Sequence, residues 1–166
     1  RFLGNRSSGK QGYALARLAA QRGAEVTLVA GSVAGLDDPA AVDVVRVQTA
    51  AQMQDAVAKH AVGADAVIMS AAVADFRPST FAASKIKKGE GEPDSIALTK
   101  NDDILAGLVR SREAGSLSAD TVIVGFAAET GDEHGDVLSY ARDKLARKGC
   151  DLLVVNAVGD GKAFEV

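Results

Sequence analysis

Apolar residues along this chain fall into two kinds of run. Five stretches, residues 25–30, 42–47, 64–70, 121–126 and 151–156, are continuously apolar and rich in β-branched side chains. Runs of this length predict strands buried on both faces, and they argue against an antiparallel sheet with one wet face. Between most of them lie alanine-rich or amphipathic segments, 11–22, 50–61, 103–114 and 135–148, with the spacing of helices. Each is followed by a glycine (Gly23, Gly63, Gly115, Gly149), the residue that most readily ends a helix.

Strand and helix alternating through short links predict the α/β class, an open, mostly parallel Rossmann-like sheet with helices on both faces. The stretch 71–100 breaks the rhythm with Pro78, Pro93, a lysine cluster and a glycine-acidic run, before a short extra strand expected over 95–99. A connection of roughly thirty residues is unusually long, and it leaves the carboxyl end of a buried strand, where open α/β sheets place ligands.

Composition narrows the chemistry. A chain of 166 residues, 47% apolar, suits one domain with one core. Nineteen Lys and Arg against 22 Asp and Glu give a formal charge of -3, which argues against a nucleic-acid or anionic-membrane surface spread over the molecule. Any phosphate chemistry is therefore local. The single Cys150 forms no internal disulfide, and with neither signal peptide nor long apolar span the expected location is cytoplasmic. The start at Arg1-Phe2-Leu3 and the stop at Phe164-Glu165-Val166 suggest a single domain cut at both ends.

Four segments carry candidate chemistry. Gly4-Asn5-Arg6-Ser7-Ser8-Gly9-Lys10-Gln11-Gly12 leads into the first helix, where glycines, unpaired amides and hydroxyls suit an anion. It lacks the Walker spacing, and ordinary helix capping is the alternative. Ser70-Ala71-Ala72-Val73-Ala74-Asp75 follows a strand; its small residues let a nucleotide lie against main chain, and Asp75 suits a ribose hydroxyl or a phosphate-bound metal, or else caps a tight turn. Lys85-Ile86-Lys87-Lys88 concentrates positive charge suited to a triphosphate, although such runs are often only solvated surface. Gly125-Phe126-Ala127-Ala128-Glu129-Thr130 precedes a helix whose Lys144 and Lys148, four apart, share one face; Phe126 packs either a base or the core.

In this order, and with Ala71 to Arg77, Lys100-Asn101-Asp102-Asp103-Ile104-Leu105 and Asn156, these segments resemble the bacterial phosphopantothenoylcysteine synthetase family, the ligase half of the bifunctional coenzyme A biosynthesis protein. Each piece alone is weak; the ordered set spans nearly the whole chain. The resemblance implies that CTP activates 4′-phosphopantothenate as an acyl-cytidylate and that cysteine then displaces CMP. It implies that Met69, Ser70, Ala71, Asp75, Lys85, Asp102, Asp103, Ile104, Leu105, Phe126, Lys144 and Lys148 surround CTP, with Asp75 toward Mg²⁺. Asn5 and Lys85 become the catalytic candidates, Asn5 facing the acyl group. Ser7, Gly9, Gly12 and Asn156 are assigned to phosphopantothenate, with its phosphate against the first three. It further implies a homodimer and a preceding flavin-dependent decarboxylase domain holding FMN. Two positions depart from the family pattern, Gln11 where methionine is common and Asp102 where proline is common.

A short-chain dehydrogenase competes, because Tyr140 and Lys144 match a Tyr-x3-Lys pair in which an ammonium makes a phenol acidic. Against it, no serine lies about a dozen residues before Tyr140 and the glycine loop lacks the dinucleotide pattern. A non-catalytic nucleotide-binding module is the remaining class.

Overall fold

The computed structural model describes residues 4–5, 7–33, 35–80, 95–133 and 135–158. Along them run helix α1 (Lys10–Gln21), strands β1 (Val26–Ala30) and β2 (Val42–Arg46), helix α2 (Ala50–Ala61), and strands β3 (Ala66–Met69), β4 (Phe76–Pro78) and β5 (Leu98–Lys100). Helix α3 (Ile104–Glu113), strand β6 (Val122–Glu129), helix α4 (Val137–Lys148) and strand β7 (Leu152–Ala157) follow. β1 pairs with β2, and β3, β6 and β7 pair in that order, all in parallel. The α/β fold with mostly parallel open sheets is the one the pattern predicts.

Local chemistry explains the helix ends. At α2, Thr49 accepts from the Gln52 amide at 3.1 Å while the Gln52 side chain accepts from the Thr49 N–H at 3.2 Å, a reciprocal capping box. Asp103 and Asp136 cap α3 and α4 through the amides of Ala106 and Ser139 at 3.0 and 2.7 Å. All four glycines read as helix stops have positive φ, and Gly149, at φ 70, closes α4 with its N–H on the Leu145 carbonyl.

The strands differ from the expectation of burial on both faces. Ile123, Gly125 and Ala127 of β6 are buried, whereas Val122 is exposed and Val124 and Phe126 are half-buried. The reason is the placement of the helices. Ile123 shares a core with Met53 and Val57 of α2, Ile104, Leu108 and Val109 of α3, and Cys150, while α1 packs on β1 and β2. Within the described residues the other face of β3, β6 and β7 therefore leaves Ile68, Val122, Leu152 and Val154 exposed. The long connection also holds a small antiparallel ribbon, β4 with β5, in register Phe76↔Lys100. Its second strand is the extra strand expected over 95–99, shifted to 98–100; the first was not anticipated, because Phe76-Arg77-Pro78 is too short to show a pattern.

Polar bonds secure the amino ends of the strands. Arg112 donates to Asp151 Oδ2 at 2.6 Å and to the carbonyls of Thr121 and Gly149 at 2.9 and 3.3 Å. Asp151 Oδ2 also accepts from the Ile123 amide at 2.7 Å, and the buried Thr121 hydroxyl donates to the Ala64 carbonyl at 2.9 Å. This end is committed to structure, which leaves the carboxyl ends of β3, β6 and β7 for a ligand.

Candidate active site

The glycine-rich segment is built for close approach. Gly9, at φ 73, is the N-cap of α1 and makes no side-chain cap. A Cβ there would collide with Val33 Cγ1, so both backbone and space demand glycine. Ser7 and Ser8 only brush the amides of Gly9 and Lys10, at 3.4 Å each. The first turn of α1 thus keeps amides and hydroxyls suited to an anion. Gly12 lies one turn on, where a Cβ would stand 3.0 Å from Ser70 Oγ.

That contact joins the segment to the loop leaving β3. Asn5 Nδ2 donates to the Val73 carbonyl at 3.1 Å, although the two are 68 positions apart. Met69 and Ser70 are half-buried, whereas Ala71 and Asp75 are exposed. The loop is tied in turn to the start of α3, since the Asn101 side chain donates to the Ala74 carbonyl at 2.7 Å. Asp102, one of the departures from the family pattern, is exposed and accepts from Gln54 Nε2 at 3.3 Å. The segments around Asn5, Asp75 and Asp103 are therefore one continuous surface.

The lysines of α4 do share a face, and both are engaged by carboxylates. Lys144 pairs with Glu129 at the end of β6, and Lys148 donates to Asp103 Oδ2. Burial pushes the Asp103 carboxyl up, but the bonds from Lys148 and the Ala106 amide, with the charges of Lys148 and Arg110, outweigh it and hold its pKa below the usual value. An open cavity of about 290 Å³ beside the first pair is lined by Glu129, Tyr140, Asp143, Lys144 and Arg147. It lies at the small end of ligand pockets, room for part of a nucleotide rather than all of it.

Other assigned residues sit differently. The Ile104 side chain is buried in the core and Leu105 packs over Gly125, so both can meet a ligand only through main chain. Phe126 and Asn156 are half-buried on the sheet face away from α3 and α4, Asn156 opposite Ala128 near the carboxyl end of β7. Lys85 and its neighbours lie outside the described residues. Among the described residues no three His, Cys, Asp or Glu side chains cluster for a metal. Asp75 fits Mg²⁺ only in the way that ion usually binds, through phosphates and water with one or two carboxylates.

Tyr140 does not carry the dehydrogenase reading. Its hydroxyl donates to Asp132, and that bond, with desolvation and the negative charge, raises the phenol pKa, opposite to what a catalytic tyrosine needs. The ammonium that would acidify it, on Lys144, is paired with Glu129.

A family model described as the DNA/pantothenate metabolism flavoprotein C-terminal domain matches residues 1–166. The chain belongs to that family. The coenzyme A biosynthesis bifunctional protein CoaBC of Mycobacterium bovis is 67% identical over 166 residues, covering 100% of this chain and 40% of its own length. The chain thus spans about 40% of the length of the curated relatives it first matches. Among solved structures, the C-terminal domain of a CoaBC protein is 38% identical with TM-score 0.74, covering 94% of this chain and 68% of that one. A Cab2 mutant H337A in complex with phosphopantothenate-cysteine shares the fold at TM-score 0.70 and 19% identity, over 95% of this chain and 67% of that one. The resemblance carried by the ordered motifs of this flavoprotein-family domain therefore holds.

Several residues of the site were not assigned from sequence. Glu129 lies inside a quoted motif, yet its pairing with Lys144 spans 15 positions and no periodicity signals it. Arg77 and Asn101 also stand in motifs, but their bond crosses 24 positions of the long connection.

Proposed function

We propose that this domain joins 4′-phosphopantothenate to L-cysteine with CTP, as a ligase of coenzyme A biosynthesis. The observation that carries this is the convergence of the glycine-rich start of α1, the 70–75 loop and the start of α3 at the carboxyl end of β3, through Asn5 on Val73 and Asn101 on Ala74. In this reading the phosphopantothenate phosphate lies against Ser7, Gly9 and Gly12, and CTP lies along Met69 to Asp75 and residues 102–105, within reach of Lys144 and Lys148 and meeting Phe126 through its main chain. Asn156 stays on the phosphopantothenate side.

The chemistry has two steps. A carboxylate oxygen attacks the α-phosphorus of CTP, an O–P bond forms, and the α–β bridge breaks with its electron pair leaving on pyrophosphate. The cysteine amine then attacks the acyl carbon, the amide forms as CMP leaves, and the amine gives up a proton. Lys85 stabilises charge moving toward pyrophosphate, and the Asn5 amide donates to the acyl oxygen. Mg²⁺, held by the phosphates with Asp75, would neutralise part of the triphosphate charge.

The names of the relatives, bifunctional protein and flavoprotein, support a flavin-dependent decarboxylase unit holding FMN in the same polypeptide. The resemblance supports a cytoplasmic homodimer that completes the substrate site across its two-fold axis. Among the described residues no helix is long and apolar enough to cross a membrane. Light scattering on the full-length protein tests the dimer, and a strictly monomeric active enzyme refutes it. The test of the reaction is pyrophosphate release with each nucleoside triphosphate, with and without phosphopantothenate. Release only when CTP and phosphopantothenate are both present is expected. A domain that binds CTP and never releases pyrophosphate is instead a binding module.

A further inference from the structure

We infer that Asn101, held by Arg77, is a positioning residue that locks the two nucleotide-facing segments together; this rests on the proposed nucleotide site. The 70–75 loop lies outside the strands, and three of its main-chain oxygens are held by donors from distant segments. Val73 accepts from Asn5, Ala74 from Asn101 Nδ2 at 2.7 Å, and Asp75 from the Asn101 N–H at 2.8 Å. Two of the three donors thus come from one residue, and that residue directly precedes Asp102 and the α3 cap Asp103.

Arg77 decides which way the Asn101 amide points. Its Nη1 donates to Asn101 Oδ1 at 2.9 Å and to the Lys100 carbonyl at 2.8 Å. A guanidinium only donates, so the amide atom it meets is oxygen and the amide nitrogen is turned to Ala74. Register adds to this, because Arg77 lies in the ribbon opposite Thr99, two residues before Asn101. The ribbon is therefore the brace that carries this lock, and Asn101 spends its amide on the protein rather than on a ligand.

The experiment compares Asn101→Asp, Arg77→Ala and Arg77→Lys with the wild type in the full-length protein. Calorimetry gives the Kd for CTP, steady-state kinetics the KM for each substrate, and thermal unfolding the stability. Asn101→Asp keeps the size and the acceptor for Arg77 but sets a carboxylate against the Ala74 carbonyl. It should weaken CTP by about tenfold, the worth of one part-buried hydrogen bond, in Kd and KM alike. KM for cysteine should stay within about twofold. Arg77→Ala, at an exposed position, should act in the same direction, and Arg77→Lys, which can still donate, should restore most of the affinity. Should Asn101→Asp fail to fold, the Arg77 pair carries the same comparison. An unchanged Kd for CTP in Asn101→Asp or Arg77→Ala overturns the lock, as does an equal decline of every kinetic constant tracking lost stability. A wild type that binds CTP without releasing pyrophosphate removes the ligase reading, while weaker CTP binding in Asn101→Asp still upholds the lock.

Discussion

Lys148, in the last turn of α4, donates to Oδ2 of Asp103, whose Oδ1 caps the start of α3. One carboxylate therefore sets both the helix start and the resting position of a cation assigned to CTP. The two roles separate by substitution. Asparagine caps a helix about as well as aspartate, so Asp103→Asn should unfold thermally close to the wild type. Asp103→Ala should lose about 1 kcal/mol, roughly 2–4 °C for a domain of this size. Equal losses in both variants, measured by thermal unfolding, would show that the ion pair and not the cap supplies the stability.

Tyr140 and Lys144, a pair in the dehydrogenase pattern, should behave independently. Tyr140 bonds Asp132 and Lys144 pairs with Glu129, so neither serves the other. Tyr140→Phe should leave turnover nearly intact, while Lys144→Ala should raise KM for CTP by roughly tenfold through loss of a charge-assisted contact. Steady-state kinetics over a CTP series decides this. Loss of turnover in Tyr140→Phe would count against the ligase assignment.

Most of this fold was legible because local rules and the overall architecture agree. The glycines after all four helices take left-handed backbone, and Asp103 caps the third. The site was legible only as a set of segments. The glycine-rich start of α1 reads from sequence as either an anion cradle or ordinary capping, and the assignment of Gly9 and Gly12 to substrate rests on the resemblance; the structure adds that Gly9 closes on Val33 and Gly12 on Ser70. Partnerships such as Asn5 with Val73 or Lys144 with Glu129 depend on how distant segments meet, which spacing does not encode. The expectation of strands buried on both faces failed for a related reason. Ile68, Val122 and Leu152 are as apolar as the buried Ile123, and sequence pattern cannot tell which face the described helices cover.

Asp151 gives the stability a sign with pH. The Arg112 hydrogen bond and the Ile123 amide depress its pKa against a smaller cost of desolvation. A carboxyl depressed in the folded state contributes stability in full above its unfolded value, and loses it as pH falls through the folded value. The gap in melting temperature between wild type and Asp151→Asn should be constant near neutrality and close progressively below about pH 4. Arg112→Ala leaves the Thr121 carbonyl and the Asp151 carboxylate short of a donor, a loss on the order of 2 kcal/mol at neutral pH. Thermal unfolding across pH reads both, and a gap that widens in acid would contradict the assignment.

The two half-reactions separate through Asn5 and Lys85. Asn5 Nδ2 rests on the Val73 carbonyl, so its amide is already aimed along the loop where the acyl group is proposed to lie. Asn5→Asp exchanges that donor for a carboxylate that repels both the carbonyl and the developing charge on the acyl oxygen. The variant should still form some acyl-cytidylate but resolve it on the order of a hundredfold more slowly, the usual penalty for a lost oxyanion donor. Lys85→Gln removes a full charge proposed to act on the departing pyrophosphate, and should prevent the intermediate from forming. Mass spectrometry for phosphopantothenoyl-CMP, after mixing each variant with CTP, Mg²⁺ and phosphopantothenate and again after adding cysteine, distinguishes the two. Intermediate that accumulates in Lys85→Gln and is absent from Asn5→Asp would reverse the two roles, making Lys85 the group that serves amide formation and Asn5 the one that serves nucleotidyl transfer.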